Sequence, residues 1–247
     1  MNAIETTDLT KVYKTKTAVD HLNLSVAQGE LFSLLGVNGA GKTTAIKMLS
    51  GLVKPTSGDA VLLGKSILTH PQEVKQLINV SPQETAVAQN LTVRENLELI
   101  CGIYGRARKE AKRKAQEILC SFGMEEIARD KAKTLSGGWQ RRLSIDMALI
   151  SNPKILFLDE PTLGLDVLAR RDLWSTIRAV KGSITIILTT HYLEEAEALS
   201  DRIGILAQGR LKALGTPQEL MRQAETDRFE DAFVALCGEP TKRGDKR

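Results

Sequence analysis

Residues 31–52, LFSLLGVNGAGKTTAIKMLSGL, decide the fold class of this chain. The segment opens with a continuously apolar run, 31–36, which is typical of a parallel strand covered on both faces. It continues with Gly, four residues and Gly-Lys-Thr, 36–43, and then with a helical pattern. A glycine-rich loop between a strand and a helix is the context that identifies a phosphate-binding loop. The sequence therefore predicts an α/β protein of the P-loop class.

The loop residues suit the binding of ATP and Mg²⁺. Three glycines are expected to give the backbone positive φ angles, so that successive N–H groups surround an anion: Gly36, Gly39 and Gly41. Lys42 can reach the outer phosphates, and the hydroxyl of Thr43 can hold Mg²⁺. The predicted ATP-binding residues of the loop are Gly36, Val37, Asn38, Gly39, Ala40, Gly41, Lys42, Thr43 and Thr44.

Polar side chains follow other apolar runs, where the carboxyl ends of parallel strands should meet. Asp159 and Glu160 come at the end of the apolar run 155–159. We expect Asp159 to hold Mg²⁺ through water and Glu160, facing a different atom, to act as the general base. His191 closes another strand and is predicted to contact the γ-phosphate. The amide of Gln83 could bind Mg²⁺ or the attacking water.

The composition is ordinary for a globular protein. The 247 residues are 42% hydrophobic and 26% charged, and the formal net charge of +4 gives no argument for a nucleic-acid partner. Three dispersed cysteines, Cys101, Cys120 and Cys237, fit reduced thiols better than a metal site. The chain has no signal-peptide pattern and no run of about 20 apolar residues, so we expect a cytosolic protein whose membrane contacts run through another chain.

Local patterns predict how the chain is organised. Apolar residues alternate over 22–26, as in a strand with one wet face, and Asp166 can cap a helix that ends at Gly182. Residues 84–153 carry charged helical patterns and are predicted to be a helical insertion. Their basic run, 106–114, is either a binding patch or a solvated helix face.

The stretch LSGGWQRR, residues 135–142, predicts a second anion site. Ser136 can cap a helix that begins near Gly137 and runs to Asn152, and a helix N-terminus attracts anions. The chain has no second lysine-bearing loop to accompany it. We therefore expect Ser136, Gly137 and Gly138 of one copy to close over the γ-phosphate held by another copy, twice in a two-fold dimer.

Together these motifs resemble the ATP-binding cassette (ABC) ATPases over nearly the whole chain. The motifs occur in the order of that family: phosphate loop 36–43, Gln83, LSGG 135–138, Asp-Glu 159–160, LGLD 163–166 and His191. The resemblance implies a P-loop NTPase fold of the ABC ATPase type, with an antiparallel β-subdomain and an inserted helical subdomain. It also implies that Tyr13 stacks on adenine and that Val19 packs near the ribose.

The resemblance implies one ATPase domain over residues 1–220, followed by a short C-terminal helix and a basic tail, TKRGDKR, within 221–247. Two positions depart from the family pattern. Trp139 stands where Gln is common, and LGLD, 163–166, stands where Ser-Ala-Leu-Asp is common. The contacts of the changed side chains are left open, and packing within the helical subdomain is one interpretation of Trp139.

Three longer segments, 89–105, 135–166 and 189–206, resemble the ATPase subunits of bacterial multidrug-type exporters, in which the permease is a separate polypeptide. The resemblance implies an ATP-hydrolysing subunit that forms a homodimer, or a heterodimer with a related ATPase, on the inner face of the cell membrane. It would drive a separate permease, with no nucleic-acid partner, to export a drug, a lipid or a similar substrate. A soluble ABC ATPase in translation or DNA repair, a non-catalytic ATP-binding module and an importer subunit remain alternatives.

Overall fold

The computed structural model describes residues 1–238, so the predicted basic tail lies outside the described residues. Within them, the strands form a four-stranded and a six-stranded sheet. The antiparallel four-stranded sheet contains β1 (Asn2–Tyr13), β2 (Lys16–Ala27), β4 (Ser57–Leu62) and β5 (Lys65–Ser66). The six-stranded sheet contains β3 (Leu31–Leu35), β6 (Ile78–Ser81), β7 (Ile155–Asp159), β8 (Thr185–Thr190), β9 (Arg202–Ala207) and β10 (Arg210–Gly215).

The six-stranded sheet has the spatial order β10-β9-β3-β8-β7-β6, and only β10 is antiparallel to its neighbour. All residues of β3, β7 and β8 are buried, as their continuous apolar runs predict. The alternating segment 22–26 of β2 buries its apolar side chains and leaves the intervening ones at least partly exposed. Both periodicity predictions are confirmed.

Helices cover the parallel sheet and form a separate cluster. They are α1 (Lys42–Leu49), α2 (Pro71–Leu77), α3 (Val93–Ile103), α4 (Arg108–Ser121), α5 (Gly137–Leu149), α6 (Val167–Val180), α7 (Leu193–Leu199), α8 (Pro217–Gln223) and α9 (Phe229–Cys237). Helices α3, α4 and α5 lie between β6 and β7 and share a hydrophobic cluster of their own. In α4 only Ala111, Ala115 and Leu119 are buried, so its basic residues lie on a solvated face. Within residues 1–238, no helix is long and apolar enough to cross a membrane.

The prediction that the helix after Ser136 runs to Asn152 is wrong. Helix α5 ends at Leu149, and Asn152 takes a left-handed conformation with φ 57°. Side chains stop the helix here, because the carbonyl oxygen of Ala148 accepts hydrogen bonds from the Asn79 amide at 3.0 Å and from the Ser151 hydroxyl at 3.2 Å. A helix end is stable once its last carbonyls have such partners.

The C-terminal helices pack on the far edge of the six-stranded sheet. Phe229 of α9 and Leu220 of α8 join a hydrophobic cluster with Leu35, Ile203 and Ile205. The predicted C-terminal helix is therefore present as α9. The domain division at residue 220, which falls inside α8, stays a prediction.

Candidate nucleotide-binding site

The glycine-rich loop follows β3 and is fixed by close backbone contacts. The N–H group of Gly36 donates to the carbonyl of Thr190 at 3.3 Å. A Cβ atom on Gly36 would lie 2.3 Å from the carbonyl oxygen of Leu206 on β9, so only glycine fits. Gly39 and Gly41 have φ angles of 81° and 110°, but Gly36 has none in the positive region, so that part of the prediction is wrong. Gly36 is required by the approach of β9.

Helix α1 begins directly at the end of this loop. Gly41 is its N-cap residue, and no side chain caps the helix. The N–H groups of the first turn are therefore left for an anion, beside the positive end of the helix dipole. A side chain at Gly41 would meet the carbonyl oxygen of Ala18 at 2.4 Å, so the β1–β2 sheet closes over this position.

Lys42 is buried at the floor of the loop, with 4% of its surface exposed. Its ammonium group donates to the carbonyl oxygens of Gly36 at 2.7 Å and Val37 at 3.2 Å. The same group lies 3.2 Å from Oε1 of Glu160. A buried charge needs such partners, and a phosphate oxygen would serve in the same position as the Glu160 carboxylate.

Asp159 ends β7 and points toward the start of α1. Its Oδ1 atom accepts hydrogen bonds from the hydroxyls of Thr43 at 3.1 Å and Thr189 at 2.6 Å. Thr43 is the loop residue predicted to hold Mg²⁺, so the structure brings together two of the three residues predicted to bind the metal, Thr43 and Asp159 but not Gln83. Thr189 was not predicted, although it lies two residues before His191 in the sequence.

Glu160 faces a different group of atoms from Asp159, as the sequence predicts. Its backbone takes φ 47°, which non-glycine residues seldom adopt, and its N–H group donates to the Thr189 carbonyl at 3.1 Å. The side chain then lies between two nitrogens, Nζ of Lys42 and Nδ1 of His191. The His191 nitrogen is 3.3 Å from Oε2 of Glu160, but it lacks the alignment of a hydrogen bond. Such backbone strain is typical of functional positions.

Gln83 is held through its backbone while its side chain stays exposed. The buried Arg141 guanidinium of α5 donates to the carbonyl oxygen of Gln83 and, at 2.6 Å, to that of Pro82. Burial lowers the pKa of Arg141, and the negative charge of Asp159 opposes that shift. Arg141 therefore fixes the segment that presents Gln83, a role that local sequence patterns could not reveal.

These segments enclose one cavity of about 510 Å³. Its lining residues are Tyr13, Lys16, Ala18, Asn38, Gly39, Ala40, Gly41, Lys42, Thr43, Thr44, Gln83, Glu160, Leu163 and His191. The predicted residues Val19, Gly36, Val37 and Asp159 do not line it. Val19 is fully buried, and its Cγ2 atom would meet a Cβ on Gly41 at 3.3 Å, whereas the neighbouring Ala18 faces the cavity.

The signature turn lies outside this cavity. Ser136 caps α5, and its hydroxyl accepts a hydrogen bond from the N–H group of Trp139. Ser136, Gly138 and Trp139 line a separate cleft of about 240 Å³ beside the start of α6, and Gly137 is exposed. Within one chain, the structure does not bring this turn to the phosphate loop.

Trp139 packs against the helical cluster and is half-buried. The guanidinium of Arg142 stacks over its ring at 5.1 Å and also donates to the carbonyl of Phe122 at the end of α4. In the described structure, Trp139 therefore packs within the helical subdomain.

The donor set fits the predicted metal and nucleotide. Mg²⁺ prefers oxygen ligands and is commonly held by one carboxylate, a hydroxyl and phosphate oxygens. Thr43 and Asp159 supply the first two, and the uncapped start of α1 offers N–H groups to a phosphate chain. An exposed Tyr13 at the rim is placed to cover a base.

The fold and the loop geometry define a P-loop nucleotide-binding protein. A family profile described as "ABC transporter" matches residues 19–163, more than half of the chain. The chain belongs to the ABC transporter family.

Curated relatives carry the resemblance over most of the chain. The probable multidrug ABC transporter ATP-binding protein YbhF of Escherichia coli is 40% identical over 94% of this chain, which spans only 41% of that protein. The linearmycin resistance ATP-binding protein LnrL of Bacillus subtilis is 42% identical over 96% of this chain and 76% of its own length. The daunorubicin/doxorubicin resistance ATP-binding protein DrrA of Streptomyces peucetius is 43% identical over 88% of this chain and 66% of its own length.

Solved structures share the fold. The ATP-binding subunit of an ABC transporter superposes with a TM-score of 0.83 at 30% identity, over 95% of this chain and 99% of that one. The ATP-binding cassette MJ0796, solved as a dimer in a post-hydrolysis state with ADP and Pi, gives a TM-score of 0.77 at 28% identity, over 86% of this chain and 98% of that one.

Proposed function

We propose that this chain is the ATP-binding and hydrolysing subunit of an exporter, acting as a dimer on a separate membrane permease. One observation carries the proposal: Lys42, Glu160 and His191 converge on one cavity, while the signature turn 136–138 of the same chain lies outside it. A complete site then needs the signature turn of a second copy. The relatives named for multidrug, linearmycin and daunorubicin/doxorubicin resistance support the assignment to export.

The chain's own residues would divide the chemistry among them. Lys42 and the N–H groups of the loop bind the phosphates, and Tyr13 covers the base. Thr43, Asp159 and Gln83 would hold Mg²⁺, which when bound neutralises charge on the phosphates. Glu160 accepts a proton from the attacking water, and this requires that its contact with Lys42 give way to a phosphate oxygen.

His191 would contact the γ-phosphate beside Glu160. Its ring lies next to the Glu160 carboxylate and at the cavity wall, so it can report whether the third phosphate is present. Ser136, Gly137 and Gly138 of the second copy would close the cavity from the opposite side through the start of α5. Closure would exclude bulk water from the reacting phosphate.

The permease would dock at a cleft between the six-stranded sheet and the helical cluster. This cleft, of about 230 Å³, adjoins Pro82. It is lined by Ile103 at the end of α3, which is 69% exposed, and by Tyr104, which follows that helix. Exposed apolar groups beside a cleft favour protein contact. The site would place the chain on the inner face of the cell membrane.

The main test is Glu160→Gln. We expect this change to leave ATP binding intact, to trap an ATP-dependent dimer and to lower phosphate release by at least about 10²–10³-fold. Light scattering with and without ATP measures the dimer, and a phosphate-release assay measures turnover. Glu197→Gln, an exposed acid on α7, is the matched control and should behave as the unchanged protein. Normal turnover in Glu160→Gln would refute the assignment of the base.

Ser136→Arg tests the shared site. The exposed Ser136 lies away from the cavity of its own chain, so we expect the isolated chain to bind ATP normally while dimerisation and turnover fail. Loss of ATP binding by the isolated variant would show that the signature turn acts within its own chain. Co-purification with a membrane protein, rather than with ribosomes or DNA, tests the transport assignment.

A further inference from the structure

Glu195 is a buried carboxyl group that joins three segments around the nucleotide cavity. It lies on α7 and is 0% exposed. Its Oε1 atom accepts a hydrogen bond of 3.0 Å from the indole N–H of Trp174 on α6. The hydroxyls of Thr190, at the end of β8, and of Thr162, in the loop after β7, also contact the carboxyl group.

No cation within residues 1–238 forms an ion pair with this carboxyl group. The positive charge of Arg170 acts on it from a distance, and that guanidinium stacks over the Tyr192 ring at 4.5 Å and lies 3.9 Å from Glu194. Burial raises the pKa of Glu195, and its hydrogen bonds only oppose that shift. An ionised carboxylate without a partner would be costly at this depth.

The hydrogen-bonding groups around Glu195 can accommodate a proton on the carboxyl group. The Thr190 hydroxyl already accepts the N–H group of Tyr192 at 3.0 Å, so its own proton can go to the carboxyl group. Oε2 of Glu195 and the hydroxyl of Thr162 are both buried without a well-aligned partner. A hydrogen bond between Oε2 and the Thr162 hydroxyl would give each of these two atoms a partner, and a proton on Oε2 can form it.

We propose that Glu195, in its neutral form, is a positioning residue for ATP hydrolysis. It ties the segment that ends before His191 to the loop that follows Glu160 and to α6, and so fixes the base relative to the phosphate-sensing histidine. The inference rests on the proposed roles of Glu160 and His191. A neutral carboxyl group has an isosteric substitute, because a glutamine amide can accept from Trp174 and donate to Thr162.

The test compares Glu195→Gln with Glu195→Ala in the full chain. We expect Glu195→Gln to keep kcat within about two-fold. Glu195→Ala should lose about 10–10²-fold in kcat while the affinity for ATP stays within about two-fold, because displacement by about 1 Å costs rates of this order. Glu197→Ala, an exposed acid on the same helix, is the matched control. A fluorescent ATP analogue measures affinity, and phosphate release measures kcat.

A second variant and a spectroscopic measurement cover the case in which Glu195→Ala fails to fold. Trp174→Phe removes the indole donor but keeps an aromatic ring, and it should lower kcat several-fold without weakening ATP binding. Trp139 and Trp174 are the two tryptophans of the chain. In a Trp139→Phe background, the emission of Trp174 should therefore keep its wavelength with Glu195→Gln and shift with Glu195→Ala.

Each contrary result has a distinct meaning. Equal losses of kcat in Glu195→Gln and Glu195→Ala would overturn the neutral form. Normal kcat in Glu195→Ala, or a loss of ATP affinity that accounts for the whole effect, would overturn the positioning role. Normal turnover in Glu160→Gln would instead refute the proposed function, whatever the Glu195 variants do.

Discussion

We expect the buried Asp146 side chain to lower the stability of the folded protein. The side chain lies on α5, is 0% exposed, and neither carboxylate oxygen has a hydrogen-bond partner in the described structure. Burial raises its pKa well above the ordinary value, and the nearby Arg142 only opposes that shift. Arg142 forms no hydrogen bond with the acid, and its guanidinium donates to the carbonyl of Phe122 instead. We therefore predict that Asp146→Ala stabilises the fold.

The size of the gain follows from three terms. An unsatisfied buried polar group costs about 1–3 kcal/mol, and alanine is the better helix former by about 0.5 kcal/mol. The space left by the carboxyl group costs about 1 kcal/mol. The net stabilisation is about 0.5–2.5 kcal/mol while Asp146 is neutral in the folded state.

The gain should grow with pH. Because the folded state raises the pKa of Asp146, the folded protein holds a proton that the unfolded chain releases above the ordinary pKa of 3.8. The stability of the unchanged protein is therefore fully present below that value and is lost as pH rises toward the folded pKa, by about 1.4 kcal/mol per pH unit. Asp146→Ala lacks this loss.

Urea unfolding of both proteins at about pH 5 and about pH 7.5 measures the effect. Asp172→Ala, which removes an exposed acid from α6, is the control. Its free energy of unfolding should differ from that of the unchanged protein by the same amount at both pH values. If Asp146→Ala lowers the free energy of unfolding, or if its advantage is the same at both pH values, the reasoning from burial fails.

Three further changes test the site and its supports. Gly36→Ala should abolish ATP binding, because the new Cβ would lie 2.3 Å from the Leu206 carbonyl oxygen, and equilibrium binding measures this. Asp166→Ala should lower the free energy of unfolding by about 0.5–2 kcal/mol in urea titrations, because Asp166 caps α6 through two backbone N–H groups. Arg141→Lys should lower kcat by about 10²-fold with ATP affinity retained, because lysine cannot hold both carbonyls of the Gln83 segment.

Each of these three changes has a control substitution at an exposed position. Gly102→Ala on α3 meets no atom within 4 Å and should retain full ATP binding. Replacement of the exposed Asp172 by alanine is the control for the Asp166 cap and should not change the free energy of unfolding. Replacement of the exposed Gln116 by alanine is the control for Arg141 and should not change kcat. Tight ATP binding by Gly36→Ala, or an unchanged kcat in Arg141→Lys, would contradict the contacts described above.

The sequence predicts the parts of the molecule whose physics is local. Mostly apolar runs identify β3, β7 and β8 because both faces of these strands are buried. The phosphate loop is readable because its glycines, lysine and threonine act within eight consecutive residues, 36–43. Asp166 was recognised as a cap for the same reason, since a cap bonds only to the next turn.

Contacts between distant segments could not be predicted. Arg141 holds the backbone of Gln83 from 58 residues away, and Thr189 reaches Asp159 across 30 residues. Gly36 was correctly singled out, but for a wrong reason, because the approach of β9 depends on sheet order rather than on local sequence. The predicted end of α5 lies too far along the chain, because Asn79, whose amide donates to the last turn of α5, lies on the distant strand β6.

In the proposed dimer, helix α5 would reach two nucleotide sites. Its first residues would cover the nucleotide of the partner copy. Arg141, about 7.5 Å along the helix from Ser136, holds the Gln83 segment beside the cavity of its own chain. A rigid element cannot shift at one end alone. A shift of α5 at one nucleotide site would therefore also move its residues at the other site.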